Sequence, residues 1–215
     1  MKGIQKRQLW LTGIFLLIEA FLYARILIAD RGYYAAIVVC FVHALLMGKH
    51  CQVLVVLGLG FTVLADLCLV VCQPIQQLWG MVFFLGTQTA YAFYLKGTKP
   101  LFWVRLGVIL VAEAVTIAVL GANTDALALV SLCYYANLIL NILVAFSRKK
   151  PLFSLALVLF LLCDTVIGLQ VMANQYLPLQ EGGLLERLLY PGFNLAWLFY
   201  LPSQVLLSIC AYKKA

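Results

Sequence analysis

Eight apolar runs, closed at their ends by charge, glycine or proline, occupy almost the whole chain, at about Leu9 to Ala29, Tyr33 to Met47, Gln52 to Cys72, Leu78 to Leu95, Leu101 to Leu120, Ala126 to Phe146, Leu152 to Met172 and Phe193 to Tyr212. A helix rises roughly 1.5 Å per residue, so about 20 apolar residues cross a ~30 Å hydrocarbon layer. Only the second run is short for that task. The breaks between runs, such as Asp30-Arg31-Gly32, Gly97-Thr98-Lys99-Pro100 and Gly121-Ala122-Asn123-Thr124, are rich in residues that stop helices. The pattern predicts an all-α fold, a polytopic bundle of eight transmembrane helices forming a single transmembrane domain over residues 1–215. The connection from Ala173 to Gly192 is the one long loop, and its paired leucines between Gly183 and Tyr190 mark a short helix lying on the membrane surface, a connector rather than a lid.

Composition strengthens this picture. With 65% hydrophobic and 11% charged residues and a mean hydropathy of +1.04, the chain has too little polar surface for a water-soluble domain. The net charge of +7 comes without a basic face interleaved with aromatics, so nucleic acid is not an expected partner. The charge reports topology instead, because Lys and Arg collect in cytoplasmic loops. Lys2, Lys6, Arg7, Lys49, Lys96, Lys99, Arg105, Arg148, Lys149, Lys150, Lys213 and Lys214 fall on one side of an eight-span arrangement, against Arg25, Arg31 and Arg187 on the other. Both termini are therefore expected inside, with the loop acids Asp30, Asp125, Glu181 and Glu186 outside. The first run is longer than a signal-peptide core and has no A-x-A cleavage pattern, so it reads as a membrane helix. Cys40, Cys51, Cys68, Cys72, Cys133, Cys163 and Cys210 are scattered through apolar runs and read as small buried thiols.

Four carboxyls interrupt the apolar runs. Glu19, Asp66, Glu113 and Asp164 lie in the first, third, fifth and seventh spans, roughly 10 to 14 residues from the inner end, and thus near one depth. The even spans add Gln88, Asn137, Asn141 and Gln204 near that level. Helical spacing aligns Thr62 with Asp66, Gln88 with Tyr91, Tyr134 with Asn137 and Asn141, and Tyr200 with Gln204 and Ser208. A carboxylate facing lipid costs about 2.5–3.5 kcal/mol on insertion scales, so these stripes are expected to face an interior cavity. No Lys or Arg is placed at that depth, which leaves protonation, hydrogen bonds or water to neutralise the acids. A protonated carboxyl beside an ionised one is the equipment of general acid and base catalysis. The amides serve equally well as helix-to-helix bonds, and His43 reads as a hydrogen-bonded core histidine.

The two halves of the chain, about 1–98 and 99–215, echo each other. Leu16-Leu17-Ile18-Glu19-Ala20 answers Leu110-Val111-Ala112-Glu113-Ala114, Asp66 answers Asp164, and Phe84-Leu85-Gly86-Thr87-Gln88 answers Tyr200-Leu201-Pro202-Ser203-Gln204. Four spans per half would make this a parallel 4+4 repeat about an axis along the membrane normal.

These residues bring the chain close to a known family. Leu64-Ala65-Asp66-Leu67, the F-x-x-x-Q-x-x-Y run from Phe84 to Tyr91, the F-x-x-x-D run from Phe160 to Asp164 and the closing Tyr200-Leu201-Pro202-Ser203-Gln204-Val205-Leu206-Leu207 resemble the YhhN-like lysoplasmalogenases, multi-pass membrane proteins of eight spans. Gln88 and Ala65 stand where a His and a Gly are common in that family. The resemblance implies hydrolysis of the vinyl ether bond of lysoplasmalogens, with a lysolipid as substrate, membrane lipids as surroundings and no metal or other cofactor. It makes Asp66 and Asp164 the catalytic acid and base. Glu19, His43, Gln88, Tyr91, Glu113, Tyr134, Asn137, Asn141, Tyr200 and Gln204 become candidates to position substrate and water. A proton-coupled transporter is the rival reading, since parallel repeats, intramembrane carboxyls and the proline at Pro202 serve carriers too. Two histidines, His43 and His50, are few for a catalytic zinc site, and no lysine lies deep in a span to hold retinal. Compact loops suit a bacterial cytoplasmic membrane. The headgroup, the oligomeric state and the assignment of acid and base between the two aspartates stay open at this level.

Overall fold

The computed structural model describes residues 2–29, 32–47, 52–96, 99–121, 124–175 and 183–212. Helix accounts for 88% of them and no strand occurs among them, so nearly every backbone polar group bonds within its own segment, as a lipid solvent demands. In chain order the helices are α1 (Lys2–Ala29), α2 (Tyr33–Leu46), α3 (Val53–Asp66), α4 (Gln77–Tyr94), α5 (Lys99–Leu120), α6 (Ala126–Ser147), α7 (Pro151–Gln175), α8 (Leu184–Leu189) and α9 (Leu195–Cys210). Five segments, Lys6–Ala29, Val53–Val71, Phe102–Val119, Ala126–Ser147 and Pro151–Asn174, are long and apolar enough to cross a membrane, and Tyr33–Leu46 and Leu195–Cys210 are shorter apolar helices. The chain is an integral membrane protein.

Six helices close a ring: α2 packs on α3, α3 on α4, α4 on α6, α6 on α7, α7 on α9, and α9 back on α2. Two helices stand outside it. α1 lies against α2 and α9, and α5 against α6. None of α5's apolar window is buried, against 39% for α3 and α7, which leaves Trp103, Val111 and Val119 facing outward. That exposure is what lipid contact requires of a peripheral span.

One end of the bundle is basic. The Arg148 guanidinium donates to the Lys96 carbonyl at 3.0 Å, Lys150 Nζ sits 3.9 Å from the Tyr94 ring centroid, and the Gln52 amide donates to the Ala211 carbonyl at 2.6 Å. The opposite end holds Asp125, whose carboxylate caps α6 by accepting from the Ala128 amide at 2.7 Å, and α8, tied to α7 by Gln170 Nε2 donating to the Leu189 carbonyl at 2.9 Å. The expected surface helix is thus present, although α7 runs three residues beyond the predicted Met172. Lys96, Arg148, Lys149 and Lys150 gather at the basic end as the charge sorting required. Asp30, Arg31, Lys49, His50, Cys51, Asn123, Glu181, Lys213 and Lys214 lie outside the described residues. Of the six cysteines described, Cys40 and Cys163 are buried and the others only partly so.

Small residues bring α3 and α4 close together. A Cβ on Gly58 would stand 2.2 Å from Cε1 of Tyr91, and one on Gly80 would stand 2.5 Å from Cγ of Leu69. The Thr87 hydroxyl donates to the Gly58 carbonyl at 3.1 Å. These pairs share one antiparallel register between α3 and α4, and glycine permits the backbones to approach that far. Two departures from ideal helix follow. Directly after Asp66, residues Leu67–Val71 widen into a π-helical turn, a deformation often found beside functional groups. Pro202 inside α9 has no N–H to give the Leu198 carbonyl, and the Tyr23 hydroxyl of α1 donates to that carbonyl instead, at 3.1 Å.

Candidate functional site

Asp66 ends α3 and Asp164 lies in the middle of α7, on opposite sides of the ring. Each receives a tyrosine from a neighbouring helix. Tyr200 of α9 donates its hydroxyl to Asp66 Oδ2 at 2.7 Å, and Tyr134 of α6 donates to Asp164 Oδ2. Between the two units sit Phe84 and Phe160. Phe84 is 5.6 Å from the Tyr134 ring, 5.5 Å from Phe160 and 6.4 Å from Tyr200, and Phe160 is 5.4 Å from Tyr200 and 6.3 Å from Tyr134. Phe84 and Phe160, each in contact with both tyrosine rings, thus join two Tyr–Asp pairs into one apolar-walled centre. Asp66, Tyr134 and Tyr200 are buried, so bulk water does not shield these groups and their electrostatics act at short range.

Going one helical turn toward the basic end, Gln88 follows Phe84 and Gln204 follows Tyr200 at i+4, on the same faces of α4 and α9. Both are fully buried. Gln88 Nε2 and both polar atoms of the Gln204 side chain have no protein partner among the described residues. Asn141 Nδ2 donates to the backbone carbonyl and to Oε1 of Gln88, at 2.8 and 3.0 Å. Asn137, one turn away on α6, donates to the Cys133 carbonyl at 2.9 Å. Tyr91 is fully buried, its ring edge-on to Phe153 at 5.3 Å.

Arg105 is the residue that sequence reasoning misplaced. Counted with the loop cations at the inner end, it stands inside α5, with Nη1 donating to Asn137 Oδ1 at 2.7 Å and Nη2 to Asn141 Oδ1 at 2.9 Å. A cation therefore does reach the polar layer, because a guanidinium on a three-carbon stem extends well beyond its own helical turn. The one legible signal was the i, i+4 spacing of Asn137 and Asn141, which presents two carbonyl oxygens to a planar fork.

The four intramembrane carboxyls do not surround one cavity. Glu19 belongs to outer helix α1 and accepts from the Cys40 thiol at 3.4 Å. Glu113 belongs to outer helix α5, and its Oε2 is buried without a partner among the described residues. His43 also sits apart. Its ring stacks on Phe15 with centroids 3.9 Å apart, its Nδ1 is 2.7 Å from Ser208 Oγ and its Nε2 is 3.3 Å from Thr12 Oγ1. Ser208 spends its proton on the Cys40 carbonyl at 2.8 Å, so Nδ1 carries the ring proton and Nε2 accepts from Thr12. That is a closed structural network of α1, α2 and α9. Among the described residues no three His, Cys, Asp or Glu side chains cluster as a metal site.

Comparison with curated proteins and with solved structures returned no significant match. A family model does match, over residues 31–208, a span that contains every residue of the Tyr–Asp centre and the amide layer beneath it. The chain belongs to the YhhN family.

Proposed function

We propose that the protein hydrolyses the vinyl ether bond of lysoplasmalogen-type lysolipids, with Asp66 and Asp164 as acid and base. One carboxyl, protonated, delivers its proton to the β-carbon of the vinyl ether and leaves an oxocarbenium ion. The other, ionised, takes a proton from water as the water oxygen bonds to the cationic carbon. As the resulting hemiacetal collapses to a fatty aldehyde and a glycerophospho-alcohol, the second carboxyl gives its new proton to the leaving oxygen and the first accepts the hydroxyl proton, so both return to their starting states. Aromatic faces at Phe84, Tyr134, Phe160 and Tyr200 suit a developing carbocation, and the tyrosine hydroxyls hold each carboxyl in one orientation. Hydroxyl, amide and carboxyl groups are all the chemistry requires.

The observation that carries the reading is the pairing of two Asp–Tyr units, one buried and one part-buried, across one aromatic cluster. Random helix-bonding carboxyls have no reason to adopt it twice. The reading takes α1 to α7 and α9 as eight spans with the basic end and both termini in the cytoplasm of a bacterium. Helix pairings support a 4+4 repeat: α1 on α2, α2 on α3, α3 on α4 and α2 on α9 are matched by α5 on α6, α6 on α7, α7 on α9 and α6 on α4. The test is aldehyde release from a 1-O-alkenyl lysophospholipid by the purified protein, with the acyl lysolipid as control. Release confined to the vinyl ether supports the hydrolase. No release from folded protein, together with proton-dependent solute uptake in liposomes, would replace it with a carrier.

A further inference from the structure

Arg105 is half-buried in the membrane part of the bundle, and no carboxylate pairs with it among the described residues. A membrane-embedded cation ordinarily has a counter-charge. Here the partners are neutral: two asparagine oxygens use two of the five guanidinium N–H donors and leave three. The asparagines are themselves held from behind, Asn141 by Gln88 and Asn137 by the Cys133 carbonyl. The fork is thereby fixed in orientation without being neutralised, which is the arrangement that receives an anion. A second observation points the same way. Gln88 Nε2 and the whole Gln204 amide are fully buried and unpartnered in the same layer, where the cost of an unmet polar group is high unless a ligand or water meets it.

Depth identifies the anion. Tyr134, bonded to Asp164, precedes Asn137 and Asn141 by three and seven residues on α6, placing the guanidinium roughly 5 to 10 Å toward the basic end from the carboxyl, at 1.5 Å per residue. In a lysophospholipid the phosphorus lies about 6 Å from the vinyl ether oxygen by ordinary bond lengths. α5 packs on α6 alone among the ring helices with which it forms a substantial contact, so this flank adjoins lipid.

We infer that Arg105, backed by Asn137, Asn141 and Gln88, binds the anionic phosphodiester of the lysolipid and so restricts the enzyme to phosphate-bearing alkenyl lipids entering from the leaflet at the basic end. The inference rests on the hydrolase reading for its orientation of the substrate. Its test compares wild type, Arg105→Ala and Arg105→Lys on a 1-O-alkenyl glycerophosphoethanolamine and on the neutral 1-O-alkenylglycerol of equal chain length, with thermal unfolding measured for each. Arg105→Ala is expected to lower the preference for the phosphate-bearing substrate, as the ratio of kcat/KM values, by about tenfold, chiefly through KM, and Arg105→Lys to restore part of it. Equal loss on both substrates would overturn the inference and leave Arg105 as a brace between α5 and α6. A second arm measures binding of a non-hydrolysable 1-O-alkyl lysophospholipid, with inorganic phosphate as competitor. Binding weakened about tenfold by Arg105→Ala upholds the subsite, even if wild type releases no aldehyde and the hydrolase reading falls. Displacement by inorganic phosphate at the lipid's own concentration would make the site one for free phosphate and overturn the headgroup assignment.

Discussion

The inner ring and the two outer helices both carry carboxyls at nearly the same depth, and to different ends. Inside the ring, Asp66 and Asp164 each take a tyrosine hydroxyl and share one aromatic cluster. On the flanks, Glu19 of α1 settles on a cysteine thiol, and Arg105 of α5 is spread across two asparagines. Depth is common to the carboxyls, and azimuth is not. A group on a ring helix meets several other helices, whereas a group on α5 meets chiefly α6 and one on α1 meets α2 or α9.

The difference is sharpest for the carboxyls. Asp66→Asn or Asp164→Asn is expected to reduce vinyl ether hydrolysis by about 100-fold or more, the usual worth of a general acid or base. The flanking Glu113→Gln is expected to leave the rate within about threefold, well below that effect. An equal loss at Glu113 would break the distinction between ring and flank. Next in size, Tyr200→Phe and Tyr134→Phe each remove one hydrogen bond to a carboxyl, about 1.5–3 kcal/mol where it is ionised and about 1 kcal/mol where it is protonated, and should lower kcat up to roughly tenfold. Unequal effects of the two would sort the acid from the base.

Substitutions that touch only packing should separate stability from rate. Gly58→Ala drives a methyl into the buried Tyr91 ring, an overpacking cost of about 1–3 kcal/mol, read as a lowered midpoint of thermal unfolding in detergent. His43→Leu leaves Thr12 and Ser208 without their ring partner and should cost ~1 kcal/mol of stability with little change in kcat. A large kcat loss for His43→Leu, at unchanged stability, would bring that flank into the catalytic centre.

Much of this was legible one residue at a time. Asp66, Asp164, Tyr134, Tyr200, Gln88, Asn137, Asn141 and Gln204 all stand out as polar groups in apolar runs, and periodicity placed them on shared helix faces. The π-helical turn after Asp66 left no trace, because Leu67-Cys68-Leu69-Val70-Val71 reads as ordinary helix. Phe84 and Phe160 were visible only as motif letters, since a phenylalanine in a membrane helix is unremarkable until its neighbours are known.

Composition and hydropathy by themselves determined that the chain is a helical membrane protein and where most of its helices start and stop, α1 beginning seven residues before the expected Leu9, because position along a helix follows from helical rise alone. Only the tertiary structure decided which groups meet. The rotation of each helix, the assignment of α1 and α5 to the outside of the ring, and the reach of Arg105 into the amide layer depend on the side-chain fit between segments far apart in the chain. A one-dimensional pattern carries the position of a residue along its helix, and the partner across the gap is set by packing in the other two dimensions.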